Sequence, residues 1–236
     1  MPLSRENDVR TLADLALAEL REAIISGRLA PGTPIRLRQM VEELSMSGVP
    51  IREAMRFLEQ KGLIDRVPHR GVVVAPMSAQ DLEDTYRIRL ELESMAVRGA
   101  SAVITEADRE RLLRLVGEYG KASTSGEQEL AWDLHGKIHM SLYHLAGSKW
   151  LSLILPMLWD NSERYRRLAM PRRGTPEERI EEHRVLVETC ATGDPDAAEK
   201  ELRAHLSRTL EAAIALLREE EAAATRPRPE SPGGPR

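Results

Sequence analysis

Three of the chain's six histidines lie close together in the segment "DLHGKIHMSLYHLAG", residues 133 to 147. His135 and His139 are four residues apart, which places both side chains on one face of a helix. Such a pair can bind Zn, Ni, Cu or Fe, although a helical histidine is more often solvated or hydrogen-bonded within a core. His144 lies about 140° around the helix from His139 and cannot join the pair. The spacing alone leaves a metal site and ordinary histidines both open.

The composition indicates a helical cytoplasmic protein. Hydrophobic residues make up 42% of the 236 positions and aromatic residues only 3%, so a core of Leu, Ala, Ile and Met favours packed helices. The single cysteine excludes an internal disulfide and fits a reducing compartment. The longest apolar run, residues 150–159, is too short to cross a bilayer, and the first residues lack a signal-peptide pattern. We therefore expect no membrane association.

The first 77 residues contain three amphipathic segments followed by two short apolar runs. Apolar residues recur at helical spacing, and Gly27, Pro50 and Gly62 stand where helices begin or end. The predicted helices are 9–27, 36–46 and 50–62, and the predicted strands are 63–67 and 72–75. Three helices and a hairpin in this order form a winged helix-turn-helix.

A winged helix-turn-helix predicts a DNA-binding surface. Its third helix enters the major groove, and the hairpin, or wing, reaches the backbone or the minor groove. The residues that we expect at the contact lie on the second helix, at the start of the third and at the wing tip. They are Arg38, Ser47, Gly48, Val49, Pro50, Arg52, His69, Arg70 and Gly71. Arg52 is one turn into its helix, where a guanidinium reaches a guanine edge or a phosphate.

Residues 78–222 are predicted to form an all-helical antiparallel bundle. Ser78, with Asp81, and Thr105 resemble helix caps, and Thr or Asp precedes proline at 175–176 and 194–195. The predicted helices are 78–103, 105–122, 128–146 and 149–170, with 123–127 as a loop and two further helices from 175 and 194. Residues 223–236, rich in Pro, Gly and Arg, are expected to be a disordered tail. The predicted fold class is therefore mainly α.

The N-terminal region resembles the GntR-type bacterial transcription regulators. The segments "LREAIISGRLAPG", "VPIREAMRFLEQKGLI" and "VPHRGVVVAP" carry the resemblance over nearly all of residues 10–77. It implies a homodimer that binds a pseudo-palindromic operator in double-stranded DNA, more commonly as a repressor than as an activator. Such regulators often carry arginine and then threonine after the Ser or Thr of the turn, where this chain has Gly48 and Val49. This departure predicts a different operator with readout of thymine methyl groups.

The helical region resembles the FCD ligand-binding domain of the FadR-like branch of these regulators. The matching segments are "DTYRIRLELESMAVRGA", "IHMSLYHLAGSKWL", "ERIEEHRVLV" and "LRAHL", within about residues 78–217. In metal-binding members, one helix supplies an Asp and a His four residues later, and two later helices supply one His each. The resemblance places these ligands at His135, His139, His183 and His205, with His135 replacing the carboxylate. An all-histidine set favours a divalent transition metal, above all Zn or Ni, over Mg or Mn.

The same resemblance implies an arginine that faces a small carboxylate effector, and this position falls on Arg89. The simpler interpretation pairs Arg89 with Glu93, one turn later, on a solvated helix face. An all-histidine site carries one negative charge fewer than a site with an aspartate. It should therefore attract an anionic effector more strongly.

The sequence favours a ligand-responsive DNA-binding regulator that is not an enzyme, and it leaves two alternatives open. One is a metal-dependent enzyme that acts on a small organic acid, which turnover of such an acid would favour. The other is a helical adaptor whose winged helix binds a protein. Failure to bind any duplex, at any salt concentration, would favour the adaptor, because phosphate contacts make DNA binding strongly salt-dependent.

Overall fold

The computed structural model describes residues 11–224, which form two helical units joined end to end. The first contains α1 (Leu12–Ile25), α2 (Leu37–Leu44), α3 (Gly48–Gln60), β1 (Ile64–Val67) and β2 (Gly71–Val74). The second contains α4 (Ala79–Ser101), α5 (Glu106–Ser125), α6 (Gln128–His144), α7 (Lys149–Ala169), α8 (Pro176–Ala191) and α9 (Pro195–Ala224). A 3-10 turn, Met170–Arg172, follows α7. The predicted fold class, a winged helix-turn-helix followed by a helical bundle, is confirmed.

The winged helix has its own hydrophobic core, formed where α1, α3 and the hairpin meet. Thr11 begins α1 in a capping box with Asp14, so the first turn is held by reciprocal hydrogen bonds. The two strands pair antiparallel, with Ile64 opposite Val74. The buried apolar residues of this core are Ala16, Leu20, Ile24, Ile35, Met40, Ile51, Ala54, Met55, Leu58, Leu63, Ile64 and Val74.

Several helix ends differ from the sequence prediction by two or three residues, among them ends of α3, α5 and α9. α3 begins at Gly48 because Ser47 is its extended N-cap, and Pro50 is still in the first turn, where its missing N–H has no intrahelical partner. The loop expected at 123–127 is partly helical, because hydroxyl groups at the end of α5 bond to carbonyls one turn earlier. α9 continues to Ala224, two residues into the predicted tail, and 225–236 lie outside the described residues.

The bundle is built around α4, which packs against α7 and α9, while α5 packs against α6 and α8. Ser78 caps α4 by accepting a hydrogen bond from the Asp81 amide, but the other half of the predicted capping box is not formed. The Asp81 carboxylate instead accepts a hydrogen bond from the Tyr165 hydroxyl of α7 at 2.7 Å, which fixes these two helices together. Within residues 11–224, no helix is long and apolar enough to cross a membrane.

Charged side chains of α7 hold the winged helix against the bundle. Arg21 of α1 lies 2.7 Å from a carboxylate oxygen of both Asp160 and Glu163. Lys61, which follows α3, lies 2.7 Å from the other Asp160 oxygen. Arg164 donates a hydrogen bond to the carbonyl of Ala75 in the linker between the two units. Because these contacts are only partly exposed, they fix the position of the winged helix on α7.

Replacing Asp160 with alanine should loosen this junction, because one carboxylate receives both Arg21 and Lys61. The lost ion pairs should lower the free energy that holds the winged helix on α7 by roughly 1 kcal/mol. A protease should then cleave the linker, residues 75–78, about five times faster. Limited proteolysis with mass spectrometry measures this rate. Asp133→Ala is the matched control, since Asp133 pairs with Lys137 within its own helix. Equal cleavage rates in both variants would contradict the assignment.

Candidate metal centre and DNA-binding surface

Four buried histidines from three helices meet inside the bundle. α6 supplies His135 and His139, α8 supplies His183, and α9 supplies His205. Each residue offers one ring nitrogen, and these four nitrogens all lie within 4.8 Å of one another. All four side chains are buried. The structure thus brings together every histidine that the sequence analysis named as a metal ligand.

Hydrogen bonds to the protein define the tautomers of the rings from α8 and α9. Nδ1 of His183 donates to the carbonyl of Arg179, one turn earlier, at 2.6 Å. Nδ1 of His205 donates to the Glu182 carboxylate at 3.1 Å. Although burial opposes ionisation, hydrogen bonds from His205 and Arg173 lower the pKa of Glu182 to about 2, so this acceptor is ionised. In both rings Nε2 therefore carries a lone pair and no proton.

A chain of hydrogen bonds from α4 gives His139 the same tautomer. The Tyr143 hydroxyl donates to the Glu93 carboxylate, so its oxygen accepts from Nδ1 of His139 at 2.9 Å. Burial raises the pKa of Tyr143, and the adjacent Glu93 raises it further, so the phenol keeps its proton. Glu93 also accepts from Nε of Arg89 at 2.6 Å. Like the other two rings, His139 therefore has an unprotonated Nε2.

These unprotonated nitrogens make a contact that a bound cation would relieve. Nε2 of His139 lies 3.2 Å from Nε2 of His183, and with both Nδ1 atoms protonated neither nitrogen can donate to the other. Burial lowers the pKa of His139 well below its usual value and that of His183 to about 3, so neither ring gains a second proton at neutral pH. A metal ion bonded to both lone pairs would turn this repulsion into attraction. The donor set fits a metal site.

His135 completes the set from the position where the family resemblance places an aspartate. Its ring centroid lies 4.9 Å from that of His139 and 4.8 Å from that of His183. Its Nδ1 is buried and has no hydrogen-bond partner among the described residues. Such an unpaired buried atom costs about 1–3 kcal/mol. With imidazoles alone, the site suits Zn, Ni, Cu or Fe better than Mg or Mn.

Two buried arginines lie beside the histidines. Both arginines pack against the indole of Trp159, which also contacts His135 and His139. The guanidinium of Arg166 is 3.8 Å from the Trp159 ring centroid, and that of Arg89 is 5.4 Å away. Both donate to the Ser162 hydroxyl, while Nη2 of Arg89 and Nε of Arg166 have no partner among the described residues. Burial, together with Arg89, lowers the pKa of Arg166 to about 10, so Arg166 is still charged at neutral pH.

This arginine pair is only partly neutralised. Arg89 forms its ion pair with Glu93, and Arg166 has no ion-pair partner in residues 11–224. The predicted Arg89–Glu93 pair therefore exists, but it is buried and not on a solvated face. Arg164 and Arg167 lie close to Arg166 on α7 but have different partners. The structure separates them: Arg164 and Arg167 bond to the linker and to surface carboxylates, and Arg166 alone joins Arg89.

Replacing Glu93 with alanine should lower the free energy of unfolding by roughly 3–5 kcal/mol, because Arg89 would remain buried without its carboxylate. The variant also removes the acceptor of the Tyr143 hydroxyl. Urea unfolding followed by circular dichroism measures the difference. Glu91→Ala is the control, since Glu91 pairs with Arg203 at the surface and its loss should change stability little. Equal losses would show that the buried network is not stabilising.

Most of the residues predicted to contact DNA are exposed on the winged helix. Val49 is 64% exposed at the start of α3, next to exposed Ser47, and Arg52 is exposed one turn later. Arg38 of α2 is exposed as well. Pro50 differs from the prediction, because it is buried in the first turn of α3.

Gly48 leaves room for the guanidinium of Arg52. A Cβ atom at position 48 would lie 3.3 Å from Nη1 of Arg52, so this arginine lies over the first turn of α3. Arg56, one turn beyond Arg52, is also exposed and was not named from the sequence. Val49, Arg52 and Arg56 follow a spacing of three and then four residues, which places them on one side of α3. This spacing is the signal that could have identified Arg56.

The wing tip presents a histidine and an arginine to solvent. His69 and Arg70 are exposed in the turn between β1 and β2. His69 has φ of 63°, an uncommon value for a residue with a side chain, and Gly71 has φ of 76°. These two backbone angles let the chain reverse over the three residues between the strands, so that the predicted wing contacts lie at the tip.

The architecture and these two sites identify the family. Residues 12–74 match the family described as bacterial regulatory proteins, gntR family, and residues 84–208 match the FCD domain. The chain belongs to this family of bacterial regulators, in which a GntR helix-turn-helix precedes an FCD domain. The resemblance predicted from the sequence is confirmed.

Individual relatives are named as HTH-type transcriptional regulators. The chain is 28% identical to the HTH-type transcriptional regulator BphR of Paraburkholderia xenovorans strain LB400, over 90% of this chain and 87% of BphR. It is 30% identical to the HTH-type transcriptional regulator YdhC of Bacillus subtilis strain 168, over 82% of this chain and 87% of YdhC. The solved structure of E. coli McbR/YncC has the same fold, with a TM-score of 0.73 and 23% identity over 89% of this chain and 99% of that one.

Proposed function

We propose that this protein is a cytoplasmic, ligand-responsive transcription repressor that binds a pseudo-palindromic operator as a homodimer. Its effector is a small carboxylate bound at a metal-containing site in the FCD domain. One observation carries this proposal. Three unprotonated imidazole nitrogens and a fourth histidine lie close together in the interior of the bundle, beside a partly neutralised arginine pair. The N-terminal third of the same chain is a winged helix with exposed arginine side chains.

The metal would be held by His135, His139, His183 and His205, and it would supply a Lewis-acidic position for a carboxylate oxygen. Zn and Ni both suit imidazole ligands. Four protein ligands already fill a tetrahedral shell, so an ion that accepts further ligands, such as Ni, suits effector binding better than a closed Zn site. The hydrogen bonds from Nδ1 of His139, His183 and His205 to a hydroxyl, a carbonyl and a carboxylate orient these three rings for this role.

The arginine pair selects for an anion. Arg89 and Arg166 are both charged and buried, and Glu93 is the single carboxylate paired with either of them among the described residues. A carboxylate can accept from their unpaired N–H groups and also neutralise the excess charge. This is the role that we propose for Arg89 as the effector contact, with Arg166 as its partner.

Helix α7 connects this site to the winged helix. Trp159 lies against the rings of His135 and His139, and Ser162 accepts from both buried arginines. The neighbouring residues Asp160 and Glu163 hold Arg21 of α1. A ligand that moves Trp159 or Ser162 therefore acts on the same helix that positions the DNA-binding unit. Regulation requires such a coupling between the effector site and the DNA-binding unit.

Operator contact is assigned to the exposed surface of α3. Arg52, with Arg56 behind it, would donate to guanine edges or phosphates, and Val49 would contact a thymine methyl group. Two such surfaces, one from each subunit, would read half-sites about one helical turn apart, roughly 34 Å.

The experiment is a selection of genomic fragments from the neighbourhood of the gene on the purified full-length protein, followed by fluorescence anisotropy at several salt concentrations. We expect tight binding to a palindromic fragment that weakens steeply with salt and is relieved by one member of a carboxylate panel. Binding of no duplex at any salt concentration would favour the adaptor. Conversion of a carboxylate during the titration would favour the enzyme.

A further inference from the structure

A cleft lies between the winged helix and the bundle, where α1 meets α6 and α7. Its volume is about 450 Å³, within the range of small-molecule sites, which often lie at domain boundaries. The lining residues of α6 and those of α7 recur every three or four positions, so the cleft is a trough between these two helices. Arg21 and Glu22 of α1 close one end. The trough is lined by neither the four histidines nor the two buried arginines, so it is separate from the metal centre.

Two indole rings give the trough an apolar middle. Trp132 of α6 and Trp159 of α7 both line it, together with Gly136, Met140 and Pro156. Because position 136 has no side chain, the Trp159 ring lies close to α6, and a Cβ atom there would be 3.5 Å from Nε1 of Trp159. Indole rings in a cleft favour a ligand with a planar apolar body.

The indole N–H of Trp159 is an unused hydrogen-bond donor in this cleft. Trp159 is only 7% exposed, and its N–H has no acceptor within residues 11–224. It lies beside Gly136, which is itself part of the lining. An indole N–H can only donate, and donors in nearly buried positions are usually paired. A ligand in the trough is therefore expected to offer an acceptor, such as a hydroxyl oxygen.

The α1 end of the trough has more carboxylates than cations. Around the whole cleft the ratio is five to three. At the α1 end the guanidinium of Arg167 is shared by three glutamates, since it lies 3.0 Å from Glu22, 3.2 Å from Glu129 and 3.0 Å from Glu163. Arg21, the other arginine at this end, is also divided between two carboxylates. A positive group on a ligand would supply the missing charge.

The ionisation of Glu22 agrees with this excess of negative charge. Burial raises the pKa of Glu22, and Arg167 lowers it, but Glu129 and Glu163 raise it again. The pKa of Glu22 therefore lies above its usual value even though the carboxylate has an arginine partner. An anionic ligand at this end would meet further charge of its own sign.

We propose that this cleft is a second ligand site, for a small organic amine whose planar body carries a hydrogen-bond acceptor. The ammonium group would lie among the glutamates at the α1 end, the planar body against Trp132 and Trp159, and the acceptor at the indole N–H of Trp159. Such a ligand touches the winged helix and the bundle together, so it fastens one to the other. The site is independent of the metal and of the carboxylate effector.

The test is isothermal titration calorimetry of the full-length protein with tyramine. Tyrosol is the matched control ligand, because it has the same phenol and the same chain but a neutral hydroxyl in place of the ammonium group. We expect one tyramine per chain, bound at least about 10-fold more tightly than tyrosol, since charge-assisted hydrogen bonds are the stronger ones. Equal affinities, or no binding of tyramine, would overturn the amine site.

Two variants locate the binding. Glu129→Gln should weaken tyramine binding by about 10-fold and leave tyrosol binding unchanged, because only the amine uses the charge. Trp132→Leu should weaken both ligands, because both lie against the ring. The control is Glu118→Gln, since Glu118 is exposed on α5 and does not line the cleft. Circular dichroism shows that the variants are folded. Unchanged tyramine affinity in folded Glu129→Gln would place the amine elsewhere and overturn the assignment.

Limited proteolysis tests whether the ligand fastens the two units. A ligand that binds only the docked arrangement stabilises it by mass action. At ten times its Kd, tyramine should therefore slow cleavage of the linker, residues 75–78, by about 10-fold, whereas the same concentration of tyrosol should have little effect. Cleavage that saturating tyramine leaves unchanged would contradict a ligand that joins α1 to α6 and α7.

Discussion

Changing His139 to alanine should abolish stoichiometric metal binding, whereas the wild-type protein should carry about one Zn or Ni ion per chain after reconstitution. His139 contributes one of three unprotonated Nε2 atoms, and its Nε2 lies 3.2 Å from that of His183. We expect metal affinity to fall by more than about 100-fold. Removing a residue that only hydrogen-bonds to a metal ligand lowers the affinity by up to about 100-fold, and removing the ligand itself should have a larger effect. Elemental analysis and competition with a chelator measure the stoichiometry and the affinity.

The matched control is His144→Ala on the same helix. His144 is exposed and its Nδ1 bonds to the carbonyl of Met140 in its own helix, so this variant should keep a full complement of metal. Tyr143→Phe provides a milder test, because it leaves His139 in place and removes only its hydrogen-bond acceptor; we expect a 10- to 100-fold loss of affinity, about that of other ligand-orienting groups. Full metal content in His139→Ala would reject the four-histidine site.

The second large effect is expected at the DNA surface. Arg52→Ala should weaken binding to the selected operator by about 10- to 100-fold, since a good arginine contact to a guanine edge contributes roughly 1–3 kcal/mol. If Arg52 reads a base, the variant should also lose discrimination at one base pair of each half-site. Anisotropy titrations against the operator and its single-base variants measure both effects.

Arg114→Ala controls for the loss of one positive charge. Arg114 is exposed on α5 in the FCD domain, and its one ion pair within residues 11–224 is a long contact with Glu110, at 4.0 Å. Its removal should leave operator affinity nearly unchanged. A uniform loss for Arg52→Ala across all operator variants, with a smaller salt dependence, would reassign Arg52 from a base to a phosphate. No loss at all would contradict the surface assigned to α3.

Local signals in the sequence predicted most of the fold. Thr105 and Thr175 begin their helices with the side-chain caps expected of them, and the hairpin lies at the predicted position. These features depend on a few neighbouring residues, so one sequence suffices to find them. Pro50 was predicted to contact DNA and is buried. The spacing of residues in the sequence does not show whether a residue in the first turn of α3 faces solvent or the core.

The candidate site was only partly predictable, because its supports come from distant parts of the chain. The spacing of His135 and His139 was visible, and the family resemblance added His183 and His205. The roles of Glu93 and Arg166 depend on how α4, α6 and α7 pack together, which helical periodicity does not reveal. For the same reason, the ion pairs of Arg21 with two carboxylates of α7 could not be predicted from the sequence.

Control of the operator by an effector can be measured by titrating the selected operator with metal-loaded protein, with and without saturating carboxylates, alongside His139→Ala. We expect at least one carboxylate to change the operator affinity of the wild type by about 10-fold or more, within the usual range of coupling between two sites. The variant should bind the operator and show no such change. An equal response in His139→Ala, or no response of the wild type to any carboxylate, would contradict effector control through the histidine site.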